Sequence, residues 1–257
     1  MSDHRPACDP LVHAEDYHKT YGETVAVCGL SFALEPGVIL GLVGPNGAGK
    51  TTTLRSLAGI IRPTRGRLHV AGHDVVAEPV AAKRELAYIP DEPRLFDALT
   101  PWEHLQFTAS AYRVPAFEAP ATKLLTQFEL LEKRDTLAQE LSRGMRQKVA
   151  ICCGYLHDPK VILFDEPLTG LDPRAIHTLK DSILERAGRG AAVIVSSHLL
   201  SLVEDLCSHL LILHRGKCLF FGPLGEARAQ FHGLGGDASL EEVFFRATEQ
   251  EDGAPAA

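Results

Sequence analysis

One stretch of the chain has the residue types and spacing to hold phosphate. Gly44-Pro45-Asn46-Gly47-Ala48-Gly49-Lys50-Thr51-Thr52 follows the apolar run Val38–Val43 and precedes Thr52–Ala58, which reads as a helix. The glycines let the backbone curl so that its N–H groups point inward at phosphate oxygens, and the start of the next helix adds positive potential. Lys50 is placed to reach β- and γ-phosphates, and the Thr51 hydroxyl to ligate Mg²⁺. The strand-loop-helix context favours a nucleotide over a plain glycine turn.

A second constellation complements the first. Val161-Ile162-Leu163-Phe164 is an apolar strand ending in Asp165-Glu166. A buried strand delivers its C-terminal end to the ligand edge of an α/β sheet. There Asp165 can complete a Mg²⁺ shell, and Glu166 can act as general base on an attacking water. Paired acids at strand ends are common by themselves, and the phosphate loop in the same chain is what gives this pair its reading.

The elements that position these residues follow from periodicity. Leu11–Gly37 reads as strands broken at Tyr21-Gly22 and Glu35-Pro36-Gly37, and further strands are expected at Arg67–Val70 and Leu86–Ile89. From Thr100, a cap with Pro101 behind it, the pattern turns helical over 101–112, 121–131 and a segment capped by Ser142. Strands and helices then alternate: Val161–Asp165, an Asp172-capped helix, Ala192–Ser196, Leu199–Cys207 and His209–Leu213. Such alternation predicts an α/β class with a mostly parallel sheet. Ser239-Leu240-Glu241-Glu242 is a capping-box pattern for a last helix, with a frayed end expected from Glu249.

The whole-chain properties are those of a globular protein: 257 residues, net charge −7 and 45% hydrophobic residues. The apolar runs fall short of the roughly 20 residues that span a bilayer, and Met1–Pro6 lacks the apolar core of a secretory signal. Mild acidity argues against a protein that coats nucleic acid with positive charge. Cys8, Cys28, Cys152, Cys153, Cys207 and Cys218 form no C-x-x-C pair and read as buried, reduced thiols.

Together the motifs resemble the ATP-binding subunit of an ABC transporter over about residues 11–222. Leu141-Ser142-Arg143-Gly144-Met145-Arg146-Gln147-Lys148 carries the resemblance: it is similar to the signature segment of that family and lies upstream of the acidic strand. The resemblance implies a P-loop NTPase core (about 11–91 and 157–222) with an N-terminal antiparallel β subdomain. It also implies an inserted helical subdomain (about 92–156) and a C-terminal extension over 223–257. It further implies two ATP-binding subunits, of the same or paralogous chain, stacked head to tail. Each ATP would sit between one chain's phosphate loop and the other chain's Ser142 and Gly144. A hydroxyl, bare backbone and a helix start suit a γ-phosphate. By the same resemblance Tyr21 stacks on adenine, Asp172 speaks across the dimer, and His198 contacts the γ-phosphate and orders the attacking water. Locally, Tyr21 also reads as turn packing and Asp172 as a helix cap.

Two stretches depart from the family pattern. Arg143-Gly144-Met145 stands where Gly-Gly-Gln is usual, and Asp91 stands where a glutamine is usual. Asp91 is a nucleotide-site and Mg²⁺ candidate, yet its charge near phosphate would cost about 4 kcal/mol at 4 Å and an effective dielectric of 20. Arg143 or Arg146 of the partner chain is the expected compensation, with a solvated Asp91 as the alternative. The function implied is Mg²⁺-dependent ATP hydrolysis that energises a separate membrane permease at the cytoplasmic face. The loop Ile89–Pro93 and the tail 240–244 look like the exporters of drugs, antibiotics and polysaccharides. Leu95, Phe96, Leu99 and Trp102 are candidate permease contacts. Two other readings stay open: a soluble ATPase acting on nucleic acid or ribosomes, and a weakly active regulatory cassette in a heterodimer.

Overall fold

The computed structural model describes residues 9–198, 200–231 and 239–252. Strands β1 (Val12–Tyr21) and β2 (Thr24–Leu34) form a hairpin, and β3 (Ile39–Val43) runs through the glycine loop into α1 (Lys50–Leu57). Then come β4 (Arg65–Val70), β5 (His73–Asp74), α2 (Pro79–Arg84) and β6 (Leu86–Ile89). Three helices follow, α3 (Pro101–Tyr112), α4 (Glu118–Gln127) and α5 (Arg143–Leu156). The chain closes with β7 (Val161–Asp165), α6 (Pro173–Gly188), β8 (Ala192–Ser196), α7 (Leu200–Leu206), β9 (His209–His214), β10 (Lys217–Pro223), α8 (Leu224–Phe231) and α9 (Leu240–Asp252).

Two sheets result. An antiparallel sheet has the order β2-β1-β4-β5, and a six-stranded sheet has the order β10-β9-β3-β8-β7-β6. In the larger sheet β6, β7, β8, β3 and β9 run parallel, and β10 is an antiparallel edge. Its central strands are apolar at successive positions because both faces are covered. Ile39, Val43, Ile162, Phe164, Val193 and Val195 enter one core with the buried faces of α3 to α7. Leu40, Leu42, Val161, Leu163, Ile194 and Leu211 enter the other, against α1 and the antiparallel sheet. Each fully buried Leu, Val or Ile side chain contributes roughly 1.5–3 kcal/mol, so the strand ends that carry Gly44, Asp165 and Ser197 are rigidly held.

Local chemistry sets the boundaries. Thr100 and Glu103 form a reciprocal capping box with Pro101 at the first helical position, which satisfies two otherwise unpaired N–H groups. Ser239 and Glu242 exchange bonds of 3.2 and 3.3 Å at the start of α9. That helix continues to Asp252, past the fraying expected from Glu249. The helix expected over 121–131 instead spans Glu118–Gln127, with a 3₁₀ turn at Leu131–Lys133. Helix α1 begins at Lys50 rather than Thr52. The buried expectation holds for Cys152 and Cys207, whereas Cys153 and Cys218 are half-buried and Cys28 is exposed on β2. Cys8 lies outside the described residues. No helix among the described residues is long and apolar enough to cross a membrane.

Candidate functional site

The phosphate loop is shaped by what it rests on. Gly49 has φ +107°, and a Cβ there would stand 2.6 Å from the Ala26 carbonyl oxygen. Only glycine combines that backbone angle with so close an approach to β2. Residues Asn46–Thr52 together with Ala26 and Glu166 line a polar recess of about 210 Å³. Lys50 is buried, and its ammonium donates to the carbonyls of Gly44 at 2.7 Å and Pro45 at 3.3 Å. Burial lowers its pKa, and Glu166 and Asp165 push it back up.

Asp165 gathers hydroxyls. Its Oδ1 accepts from Thr51 at 3.1 Å and from Ser196 at 2.8 Å, and its Oδ2 accepts from Tyr88 at 3.2 Å. Burial pushes the Tyr88 phenol up to about 12, so it stays a donor. The carboxylate is 3% exposed and fully engaged. Ser196 also accepts from the Glu166 N–H at 3.1 Å, so one serine fixes both acids. Pairing of Asp165 with Ser196 in the β7–β8 register makes this possible.

Glu166 carries backbone strain: φ is +50°, a region that a non-glycine residue occupies only when its surroundings impose it. The twist turns its side chain toward the loop recess and the end of β8. There Oε2 accepts from His198 Nδ1 at 2.8 Å and from the His198 N–H at 3.3 Å. A carboxylate oxygen accepts, so Nδ1–H donates in this bond and Nε2 is left without a part in it.

The signature segment begins α5. Ser142 caps it, accepting from the Met145 N–H at 3.3 Å. A Cβ on Gly144 would stand 2.5 Å from the Gly170 carbonyl oxygen, so a packing demand sits beside any ligand role. Asp172 caps α6 through the Ala175 N–H at 2.9 Å, a bond that lowers its pKa, and Lys148 of α5 stands 3.6 Å from its other oxygen. Within this chain Arg143 donates to Asp91 Oδ1 at 3.2 Å and reaches Glu92 at 3.9 Å. Arg146 donates to Asp97 at 3.0 Å. A counter-charge for Asp91 is thus present in its own chain, because α5 starts beside the loop that follows β6.

The comparisons with known proteins agree on what this arrangement is. The ABC transporter family matches residues 27–169. The chain is 36% identical over 245 residues to the ABC-type transporter ATP-binding protein EcsA of Bacillus subtilis, covering 95% of this chain and 98% of that one. The chain belongs to the ABC transporter family. It is also 31% identical over 233 residues to the linearmycin resistance ATP-binding protein LnrL of Bacillus subtilis, covering 90% and 74%. A solved ATP-binding subunit of an ABC transporter superposes with a TM-score of 0.88 at 35% identity, over 93% of this chain and 99% of that one. As an ABC ATPase, the chain binds and hydrolyses ATP and energises a separate membrane permease, rather than acting on nucleic acid or ribosomes.

The rest of the ABC subunit's expected site falls into two groups. Gly44–Thr52, Asp165, Glu166 and His198 converge through the recess and the bonds above. Tyr21, Asp91, Ser142, Gly144 and Asp172 lie at other elements. Tyr21 ends β1 half-exposed, with the Lys19 ammonium 4.8 Å over its ring. Beside the Asp91 loop, Tyr88, Pro90, Leu95, Phe96 and Phe107 line a groove of about 310 Å³. Phe96 and Phe107 are each 57% exposed. Of the apolar candidates, Leu95 and Phe96 line the groove, whereas Trp102 packs on Phe117 beneath Arg134 and Leu99 sits in the turn bonded to Phe96 and Ala138. Sequence reading missed Ser196, Tyr88 and Gln147, whose side-chain amide donates to Pro90 O at 3.3 Å. Their only local signal is a position near a strand end or within the signature segment.

Proposed function

We propose that this chain works as a Mg·ATP-driven engine in which Lys50 and the loop N–H groups bind the phosphates and Glu166 is the general base. His198, through the Nε2 left free by its bond to Glu166, would orient the attacking water against the γ-phosphate. The observation that carries this reading is the Glu166 carboxylate, held on His198 at the edge of the loop recess.

The hard oxygen donors at Thr51 and Asp165 fit Mg²⁺, which favours oxygen ligands and keeps several waters. Thr51 would ligate it directly, and Asp165 would hold its shell. Mg²⁺ would supply charge neutralisation across the β- and γ-phosphates. Asp91 engages Arg143 instead of joining that oxygen cluster, so it serves best as the switchable end of a link between the nucleotide edge and the signature helix.

Two ATP-binding subunits would close head to tail, with Ser142 and Gly144 of one facing the phosphate loop of the other, Asp172 at the seam and Tyr21 on adenine. The helical insert, about 92–156, would transmit closure to the permease through the groove at Leu95, Phe96 and Phe107, whose exposed aromatics support that role. The subunit would lie at the cytoplasmic face of the membrane, held there by the permease. The resistance role in the name of LnrL and the Ile89–Pro93 pattern support export over import. Copurification from detergent-solubilised membranes tests the permease contact: wild type should bring a membrane protein that Phe96→Asp loses, and equal recovery would contradict the groove assignment.

A further inference from the structure

The outer face of the antiparallel sheet carries a cluster that nucleotide chemistry does not use. His13 of β1 lies directly opposite His69 of β4, and His69 lies opposite Asp74 of β5. Three strands thus bring two imidazoles and a carboxylate into one row, and Glu15, two residues along β1 from His13, shares its face. His13 Nδ1 stands 3.4 Å from Glu15 Oε1, and the two imidazole rings stack at 6.1 Å with 28° between planes. One ligand atom from each of His13, Glu15 and His69 lies within 4.8 Å of the others, the single such group among the described residues.

We propose that His13, Glu15 and His69 form a binding site for a divalent transition-metal ion of the zinc class. Imidazole nitrogen with one carboxylate oxygen is a donor set that suits zinc, nickel or copper. A tetrahedral ion with ligands at about 2 Å spaces them about 3.3 Å apart, so side-chain rotations close the set without moving backbone. The surroundings of His69 support the assignment. Its Nδ1 is shut off from solvent and has no hydrogen-bond partner, while its Nε2 stands 4.0 Å from Asp74 Oδ2. Asp74 is itself anchored, its Oδ1 accepting from the N–H groups of Val76 at 2.7 Å and Ala77 at 2.9 Å. A carboxylate behind a histidine fixes the ring and raises its basicity as a ligand. Arg67 lies opposite Glu15 in the β1–β4 register, and a cation in that position weakens a carboxylate's hold on a metal, which makes Glu15 the weakest of the three. Bound metal would fasten β1 to β4, and so brace the sheet whose β2 seats the phosphate loop.

Calorimetric titration of the whole chain with Zn²⁺, without nucleotide, tests this. Wild type should bind one equivalent more than His13→Ala/His69→Gln, and Zn²⁺ should raise its Tm but not that of the double variant. Asp74→Asn should weaken binding about 10-fold or more, and Glu15→Gln less than either histidine change. Loss of both the extra equivalent and the Tm rise in the double variant separates this site from zinc held by thiols or by the phosphate loop, and unchanged ATP affinity shows that the variants fold. Equal equivalents and equal Tm response in wild type and the double variant would overturn the site.

Discussion

The phosphate loop and the signature segment are held by different physics. At the phosphate end, Asp165 is buried, and three hydroxyls surround it, two from strands paired beside β7 and one from the start of α1. At the signature end, Asp91 and Arg143 are 43% and 50% exposed and meet in solvent across a single contact. A buried hydrogen bond to a charge contributes roughly 1.5–3 kcal/mol, and stranding a partner costs more. An exposed ion pair contributes about 0–1 kcal/mol and weakens with salt. The phosphate end is therefore preorganised, whereas the exposed pair leaves the signature end less constrained, which suits the rearrangement proposed on nucleotide binding. That division fits an engine whose chemistry stays fixed while its closing surface moves.

The sharpest way to break this contrast is at Glu166. Glu166→Gln should lower ATP turnover about 10²- to 10⁴-fold in single-turnover assays while leaving ATP affinity near that of wild type. A variant that loses both would make Glu166 a structural rather than a chemical group. Next in size, Lys50→Ala should weaken ATP binding about 30-fold or more, since it removes charge-assisted bonds of roughly 2 kcal/mol, measurable with a fluorescent ATP analogue. Gly144→Ala should cost about 1–3 kcal/mol of stability by denaturant titration, because its methyl meets the Gly170 carbonyl. Unchanged stability would free Gly144 for a purely ligand-facing role. The smallest effect belongs to the exposed pair. A double-mutant cycle of Asp91→Gln and Arg143→Ala should give a coupling of about 0.2–1 kcal/mol that fades at high salt. A coupling several-fold larger would place the signature end in the same class as the phosphate end.

What the sequence made legible follows the same divide. The glycine loop, the Thr100 cap and the strand ending in Asp165-Glu166 are local signals, and the structure returns them within a residue or two. The inner strands of the larger sheet were readable from periodicity, because a strand covered on both faces must be apolar throughout, whereas the edge strand β10 was not read. Ser196 was not, since its bond to Asp165 depends on which strand lies beside β7. Arg143 was singled out as the counter-charge of Asp91, but 52 residues of separation do not reveal whether the contact lies within one chain or between two. Trp102 and Phe96 are equally apolar in sequence, and only packing against Phe117 and Arg134 separates core from groove. Cys28 was misread because its alternate β2 position faces outward.

The central claim is that triphosphate joins the phosphate loop of one chain to the Ser142 helix start of another. Sedimentation of the Glu166→Gln chain with and without Mg·ATP measures it directly. The mass of two chains with nucleotide, returning to one without it and in a Glu166→Gln/Ser142→Arg double variant, is the predicted result. A single-chain mass at saturating Mg·ATP, or a pair that forms regardless of nucleotide, would contradict it.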